Sequence, residues 1–129
     1  MVVAGLSAWH EQHEIAAEAL ASVTALPAHV IVESYSVLTR LPAGLAVPAR
    51  VAAEVLASRF RDGPLRLADA GRGLLLDTLA AAGVFGGASY DGIVALEACA
   101  HGQQLLTLDR RAQETYRRLG ASFKVLAMA

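Results

Sequence analysis

The sequence predicts an α/β protein with a small, mostly parallel central sheet. Three observations predict it. Short apolar runs at 105–108 and 123–126 alternate with longer stretches of helical period, the pattern of a layered fold. The composition is alanine-rich with only 5% Phe, Trp and Tyr, which favours helices packed closely on a sheet over a large all-β sandwich. The chain has 129 residues, 55% of them hydrophobic, enough to bury a core of its own. No internal repeat, low-complexity tract or linker interrupts it, so residues 1–129 are expected to form one domain.

Each element follows from local pattern. The apolar run Met1-Val2-Val3-Ala4 reads as a buried strand cut short at its beginning. Over 11–23, Ile15, Ala16, Ala19 and Leu20 recur at helical spacing with Glu11, Glu14 and Glu18 opposite, which predicts a first helix. Leu26 and Pro27 make a brief connection with at most a minimal strand, and a second helix spans 30–41 until Pro42 and Gly44 stop it. Pro48 suits the first turn of a third helix through Val51, Val55, Leu56 and Phe60. Asp62-Gly63-Pro64 is a turn, 65–67 a short strand, and Asp69 starts a helix through Leu74, Leu75, Leu79 and Ala82 that Gly83 ends. After the loop Phe85-Gly86-Gly87-Ala88, a helix headed by Asp91 runs over 91–101 to Gly102. A strand at 105–108, a helix at 110–119 stopped by Gly120 and a last strand at 123–126 complete the chain.

Composition narrows the function. A formal net charge of -1 gives no global field to draw nucleic acid, so any such contact must come from local basic clusters. Lys124 is the single lysine among 11 basic residues; the Arg bias suits phosphate contacts, although genome composition gives the same bias. Cys99 is alone, which excludes an intramolecular disulfide framework; flanked by alanines on an expected helix, it reads as small core filler. No run approaches membrane-spanning length and no basic leader precedes an apolar one, so a cytoplasmic protein without membrane contact is expected.

Three carboxylates stand where a solvated charge is not expected. Glu33 lies in the stripe Val30, Glu33, Val37, Leu41 of the second helix and is expected to point at least partly inward. Asp91 shares a helix face with Val94, Ala95 and Ala98 near the helix N-terminus, where the dipole favours negative charge. Asp109 follows an apolar strand at its carboxyl end, the edge where open α/β sheets place ligands. Gathering three ionised carboxylates out of water is costly unless a cation compensates them, so convergence implies a divalent-metal site. The simpler readings stand beside it: Asp91 as a helix cap, Asp109 as the first-turn acid of the next helix, Glu33 as a snorkelling or Arg-paired side chain.

The segments His29-Val30-Ile31-Val32-Glu33-Ser34-Tyr35-Ser36-Val37-Leu38-Thr39-Arg40-Leu41, Gly86-Gly87-Ala88-Ser89-Tyr90-Asp91 and Leu105-Leu106-Thr107-Leu108-Asp109-Arg110 resemble the acidic segments of PIN-domain ribonucleases, especially VapC-type toxins of type II toxin-antitoxin pairs. The order and spacing of elements are similar over nearly the whole chain. The resemblance implies a three-layer α/β/α sandwich, Mg²⁺ or Mn²⁺ held by Glu33, Asp91 and Asp109, RNA as substrate, a homodimer and a cognate VapB-type antitoxin. One departure matters: the first-strand aspartate of that family, followed two residues later by Ser or Thr, is absent where this chain reads Met1-Val2-Val3-Ala4. The expectation is an incomplete first strand and a start placed a few codons late. If the ligand is truly lost, metal affinity falls and activity is weak or nil.

Oxygen ligands without a Cys or His set prefer Mg²⁺ or Mn²⁺ to zinc. Thr107 is a candidate to fix a carboxylate by a hydrogen bond, with an ordinary strand role as the alternative. Arg110 and Arg111 are candidates to grip RNA; Arg117 and Arg118 are better read as complements to a helix C-terminus. His10 and His13 lack zinc-protease spacing and fit a polar helix N-terminus, Trp9 fits a packing or partner contact, and Gly86 and Gly87 are turn residues. The expected function is a metal-dependent endoribonuclease toxin. A catalytically impaired PIN domain that binds antitoxin or RNA is the alternative, and a receiver-like module is disfavoured because Lys124 lies inside the last strand.

Overall fold

The computed structural model describes residues 1–126. It is mixed α/β with a small parallel sheet, and its packing separates two compact units, residues 1–64 and the residues from 65 onward.

The first unit is helical: α1 (Val2–Leu6), α2 (His13–Leu20), α3 (Ala28–Thr39) and α4 (Ala49–Arg59). The strand expected at 1–4 is therefore a correction. Tertiary packing decides it: Val2 and Ala4 are buried, α1 lies against α2, and the bare Cα of Gly5 sits where a Cβ would collide with Leu20. The His13 ring supplies a partner to the end of α1, its Nδ1 donating to the Ala4 carbonyl at 2.9 Å.

Helices α3 and α4 each begin directly after a proline, Pro27 and Pro48, whose extended backbone feeds the helix and whose carbonyl accepts the first helical N–H bonds. Val2, Leu20, Leu26, Leu38, Ala52, Leu56 and Phe60 form the core, with Phe60 and Leu20 its largest fully buried side chains. In α4 the inward stripe is Ala52, Leu56 and then Phe60, while Val51 and Val55 are exposed. Arg59 closes the end of α2: Nη2 donates to the Leu20 carbonyl at 2.7 Å and Nη1 to that of Val23 at 3.3 Å, with the guanidinium 5.4 Å from the Phe60 ring centroid.

The second unit contains α5 (Asp69–Gly73), α6 (Leu75–Ala81), α7 (Ala88–Ala100), β1 (Leu105–Thr107), a 3-10 turn (Arg110–Ala112), α8 (Gln113–Arg118) and β2 (Phe123–Val125). Four expectations change here. Leu65 makes a single bridge instead of a strand, because Pro64 offers no N–H and a helix opens at Asp69. The helix expected over 69–82 breaks at Leu74, after Gly71 and Gly73 have weakened it. α7 starts at Ala88, so Asp91 lies inside its first turn and does not head it. The helix expected at 110–119 is divided into the 3-10 turn and α8.

β1 and β2 run parallel in the register Leu105↔Phe123, Leu106↔Lys124 and Thr107↔Val125, joined by the α8 crossover that parallel strands need. Gly102 at φ 63° and Gly120 at φ 72° end α7 and α8 in the left-handed conformation that glycine adopts without strain. Gly92 lets α7 approach Leu79 of α6, and Arg118 Nη1 reaches the carbonyls of Ala82 and Gly83 at 3.4 Å. Cys99 is exposed, which corrects its reading as core filler; on α7 the buried face is Gly92, Val94, Ala95, Glu97 and Ala98. Among the described residues no helix is long and apolar enough to cross a membrane.

Candidate active site

Asp109 is the most closely determined of the three acids. β1 ends at Thr107, and two residues later Asp109 has an extended backbone at φ -90° and ψ 106° before the 3-10 turn begins. The Asp109 N–H donates to Thr107 Oγ1 at 3.0 Å, and Asp109 Oδ1 accepts the backbone N–H of Arg111 at 2.8 Å. These are the local bonds that Thr and Asp side chains make at the start of helical turns. Arg111 Nε stands 3.7 Å from the same Oδ1. The Asp109 side chain is 49% exposed and that of Arg111 95% exposed, so the carboxylate is accessible and the guanidinium extends into solvent. Arg110 is also exposed.

Asp91 lies half-buried in the first turn of α7, where the helix dipole favours its charge, one residue before the buried Gly92. Glu33 departs from expectation. Its side chain is 63% exposed, and the buried positions of α3 are Ser34 and Leu38; one residue is a rotation of about 100° around a helix, enough to carry Glu33 off the core stripe. Its carboxylate faces His29, with Nε2 and Oε2 3.8 Å apart, an i,i+4 pair that helical spacing alone could have revealed.

Asp91 and Asp109 thus belong to the second unit and Glu33 to the first. Among the described residues no group of three or more His, Cys, Asp or Glu is gathered as for a metal ion. The donor chemistry of the three acids, hard oxygens throughout, fits Mg²⁺ or Mn²⁺. Sequence reasoning passed over Glu97, a carboxylate of the same α7 with only 6% exposure. The signal was there, an acid within an apolar helix, but it lacked an element boundary to draw attention.

The remaining candidates have ordinary places. His10 Nδ1 accepts the Gln12 N–H at 3.1 Å and His13 holds the end of α1, so both serve local structure. Trp9 is 51% exposed with its ring 5.7 Å from that of His10. Gly86 and Gly87 form the turn ahead of α7. Arg118 pairs with Glu114 at 3.1 Å and Arg117 Nη2 bonds Gln113 at 3.0 Å, both at i,i+4.

No family model matches the sequence and no solved structure matches it. Curated relatives do. Ribonuclease VapC40 of Mycobacterium tuberculosis, in strains H37Rv and CDC 1551, is 46% identical, the match covering 92% of this chain and 89% of the relative. Ribonuclease VapC27 of strain H37Rv is 43% identical over 80% of this chain and 74% of its own. Identity at that level, over most of each chain, shows that the chain belongs to the VapC-type ribonuclease family.

Proposed function

We propose that this protein is an endoribonuclease, the toxin of a type II toxin-antitoxin pair, with Glu33, Asp91 and Asp109 as its metal-binding and catalytic carboxylates. The observation that carries the reading is the 46% identity to a ribonuclease across 92% of the chain. Mg²⁺ or Mn²⁺ is the proposed cofactor, a cognate VapB-type antitoxin and a second copy of the chain are the proposed partners, and the cytoplasm is the proposed compartment.

The bound cation would supply Lewis-acid polarisation of a phosphodiester oxygen and a more acidic water. The chain's own residues do the rest. Asp109, accessible just past a parallel-strand end, and Asp91, in a helix first turn, are the two proposed oxygen ligands that belong to one unit. Glu33 is the third proposed carboxylate, a ligand or the base that orients the attacking water. Arg110 and Arg111, both exposed beside Asp109, hold the RNA backbone by charge-assisted contacts to phosphate.

The test is cleavage of RNA by the purified full chain in Mg²⁺. Cleavage that stops on chelation and falls at least 100-fold in Asp91→Asn, with the circular-dichroism spectrum unchanged, is the expected result. Equal cleavage by the native and Asp91→Asn proteins would sink the assignment of the acids.

A further inference from the structure

Among the described residues Phe85 has the most exposed large apolar side chain, at 81%. Its backbone is nevertheless pinned on both sides. Val84, just before it, is buried and donates its N–H to the Leu79 carbonyl at 2.9 Å; just after it, the Gly86 carbonyl accepts the Ser89 N–H at 3.1 Å and the Gly87 carbonyl the Tyr90 N–H at 3.4 Å. Gly83 at φ 71° and Gly86 at φ 60° make the two bends that hold this short turn out from α6 and α7. A Cβ at Gly86 or Gly87 would meet nothing within 4 Å, so the space beyond the ring is open as well. A cation stands at the same turn. Arg118 Nη1 lies 3.4 Å from the carbonyls of Ala82 and Gly83 and Nε takes Glu114 at 3.1 Å, which leaves Nη2 without a partner among the described residues on a side chain 48% exposed. Tyr90, 59% exposed, follows on α7 directly before Asp91.

We infer that Phe85 is a base-stacking platform: its ring takes an unpaired base of single-stranded RNA, and the Arg118 guanidinium at the same turn meets a neighbouring phosphate. The role rests on the ribonuclease reading but on no bound metal. Single strands are held by aromatic faces that stack on bases together with basic groups that track the backbone, and a pinned turn offers such a face without an ordering cost. Bases paired in a duplex are already stacked on their neighbours and cannot reach the ring, so Phe85 determines specificity for unpaired RNA. The exposed Leu74 and Leu76 of the same unit make a second copy of the chain the competing occupant. The cation beside the ring favours the polyanion, because a guanidinium gives a charge-assisted bond to phosphate and nothing to an apolar surface.

The experiment compares the native chain with Phe85→Leu, which keeps apolar bulk and loses the aromatic face, Phe85→Trp, which keeps the face, and Leu76→Ser, which removes a different exposed apolar side chain. Binding of a short fluorescein-labelled single-stranded RNA, and of the same sequence as a duplex, is read by anisotropy in EDTA, so that neither cleavage nor a cation enters the measurement. The expected result is single-strand affinity about 10-fold weaker in Phe85→Leu and near-native in Phe85→Trp and Leu76→Ser. Duplex affinity should be the same in all four, and the salt slope of Phe85→Leu should be native because no charge is lost. Native single-strand affinity in Phe85→Leu, or an equal loss on the duplex or in Leu76→Ser, overturns the stacking role. Sedimentation that shows a dimer dissociated by Phe85→Leu, with single-strand affinity unchanged, assigns the ring to a second copy and overturns it too. A native chain that binds RNA through Phe85 but does not cut it in Mg²⁺ removes the catalytic reading and leaves the platform standing; a native chain with no affinity for RNA overturns both.

Discussion

Substituting Gly92 by alanine tests how closely α7 is seated. A Cβ built there lies 2.5 Å from Leu79 Cδ2, 3.2 Å from Val84 Cγ1 and 3.5 Å from Leu119 Cδ1. Leu79 and Val84 are 5% and 4% exposed, so neither can swing into solvent without opening the core of its unit. Alanine is the better helix former by about 1 kcal/mol, which favours the variant. Overpacking a dense interior costs about 1–3 kcal/mol, which disfavours it. The second effect wins because two of the three contacts are tighter than van der Waals packing allows, leaving a net loss of about 1 kcal/mol. Gly73, the last residue of α5 with open space where its Cβ would go, supplies the control. There the substitution keeps the helical benefit and meets no neighbour. Thermal and urea unfolding followed by circular dichroism should show Gly92→Ala below the native midpoint and Gly73→Ala at or above it. An equal rise in both variants would refute the close approach of α7 to α6.

Three other outcomes are expected. Arg59→Ala removes two charge-assisted bonds, one to the carbonyl of Leu20, the last residue of α2, and one to that of Val23 beyond it, and should cost about 1–2 kcal/mol in urea unfolding, given that the side chain is partly solvated; no change in midpoint would show that water replaces both bonds. Desolvation by its surroundings pushes the Cys99 thiol up although the residue is exposed, so the thiolate fraction at a given pH is lower than that of free cysteine. Iodoacetamide should then modify it more slowly than free cysteine at pH 8, the rate climbing as pH rises; a rate equal to or above the free amino acid's would contradict the shift. Arg110→Gln and Arg111→Gln, the latter retaining the backbone amide that holds Asp109, should each lower the slope of log binding constant for single-stranded RNA against log salt by about 0.7; an unchanged slope would remove both from the RNA interface.

The helices were legible wherever a stripe and a stop signal coincided. α3 between Pro27 and Pro42, α4 after Pro48, and the ends of α7 and α8 at Gly102 and Gly120 follow from those signals. β1 and β2 were legible as apolar runs of strand length between turns, and their parallel pairing followed from the intervening helix. Residues 1–4 were not legible, because a short apolar run carries no period and the choice between strand and helix fell to packing against α2, outside the run itself. The break at Leu74 was overlooked because the leucines on either side keep a helical rhythm across two helix-weakening glycines.

The site divides along the same line. Asp109 was readable because its geometry is local: a strand end, a threonine two residues before and an arginine amide two residues after determine where its oxygens lie. Glu33 was readable as unusual but not in its orientation. A stripe of Val30, Val37 and Leu41 places it only to within a turn of the helix, and Ser34 took the buried position instead. Local bonds fix the Asp109 carboxylate by themselves, whereas Glu33 is held only by its i,i+4 attachment to His29. That attachment is between half-solvated groups at 3.8 Å and is worth at most about 0.5 kcal/mol, a small barrier against recruitment by a divalent cation. On the proposed metal role of Glu33, Mn²⁺ titration should shift the His29 ring resonances as the metal binds, and unchanged resonances would remove Glu33 from the metal site.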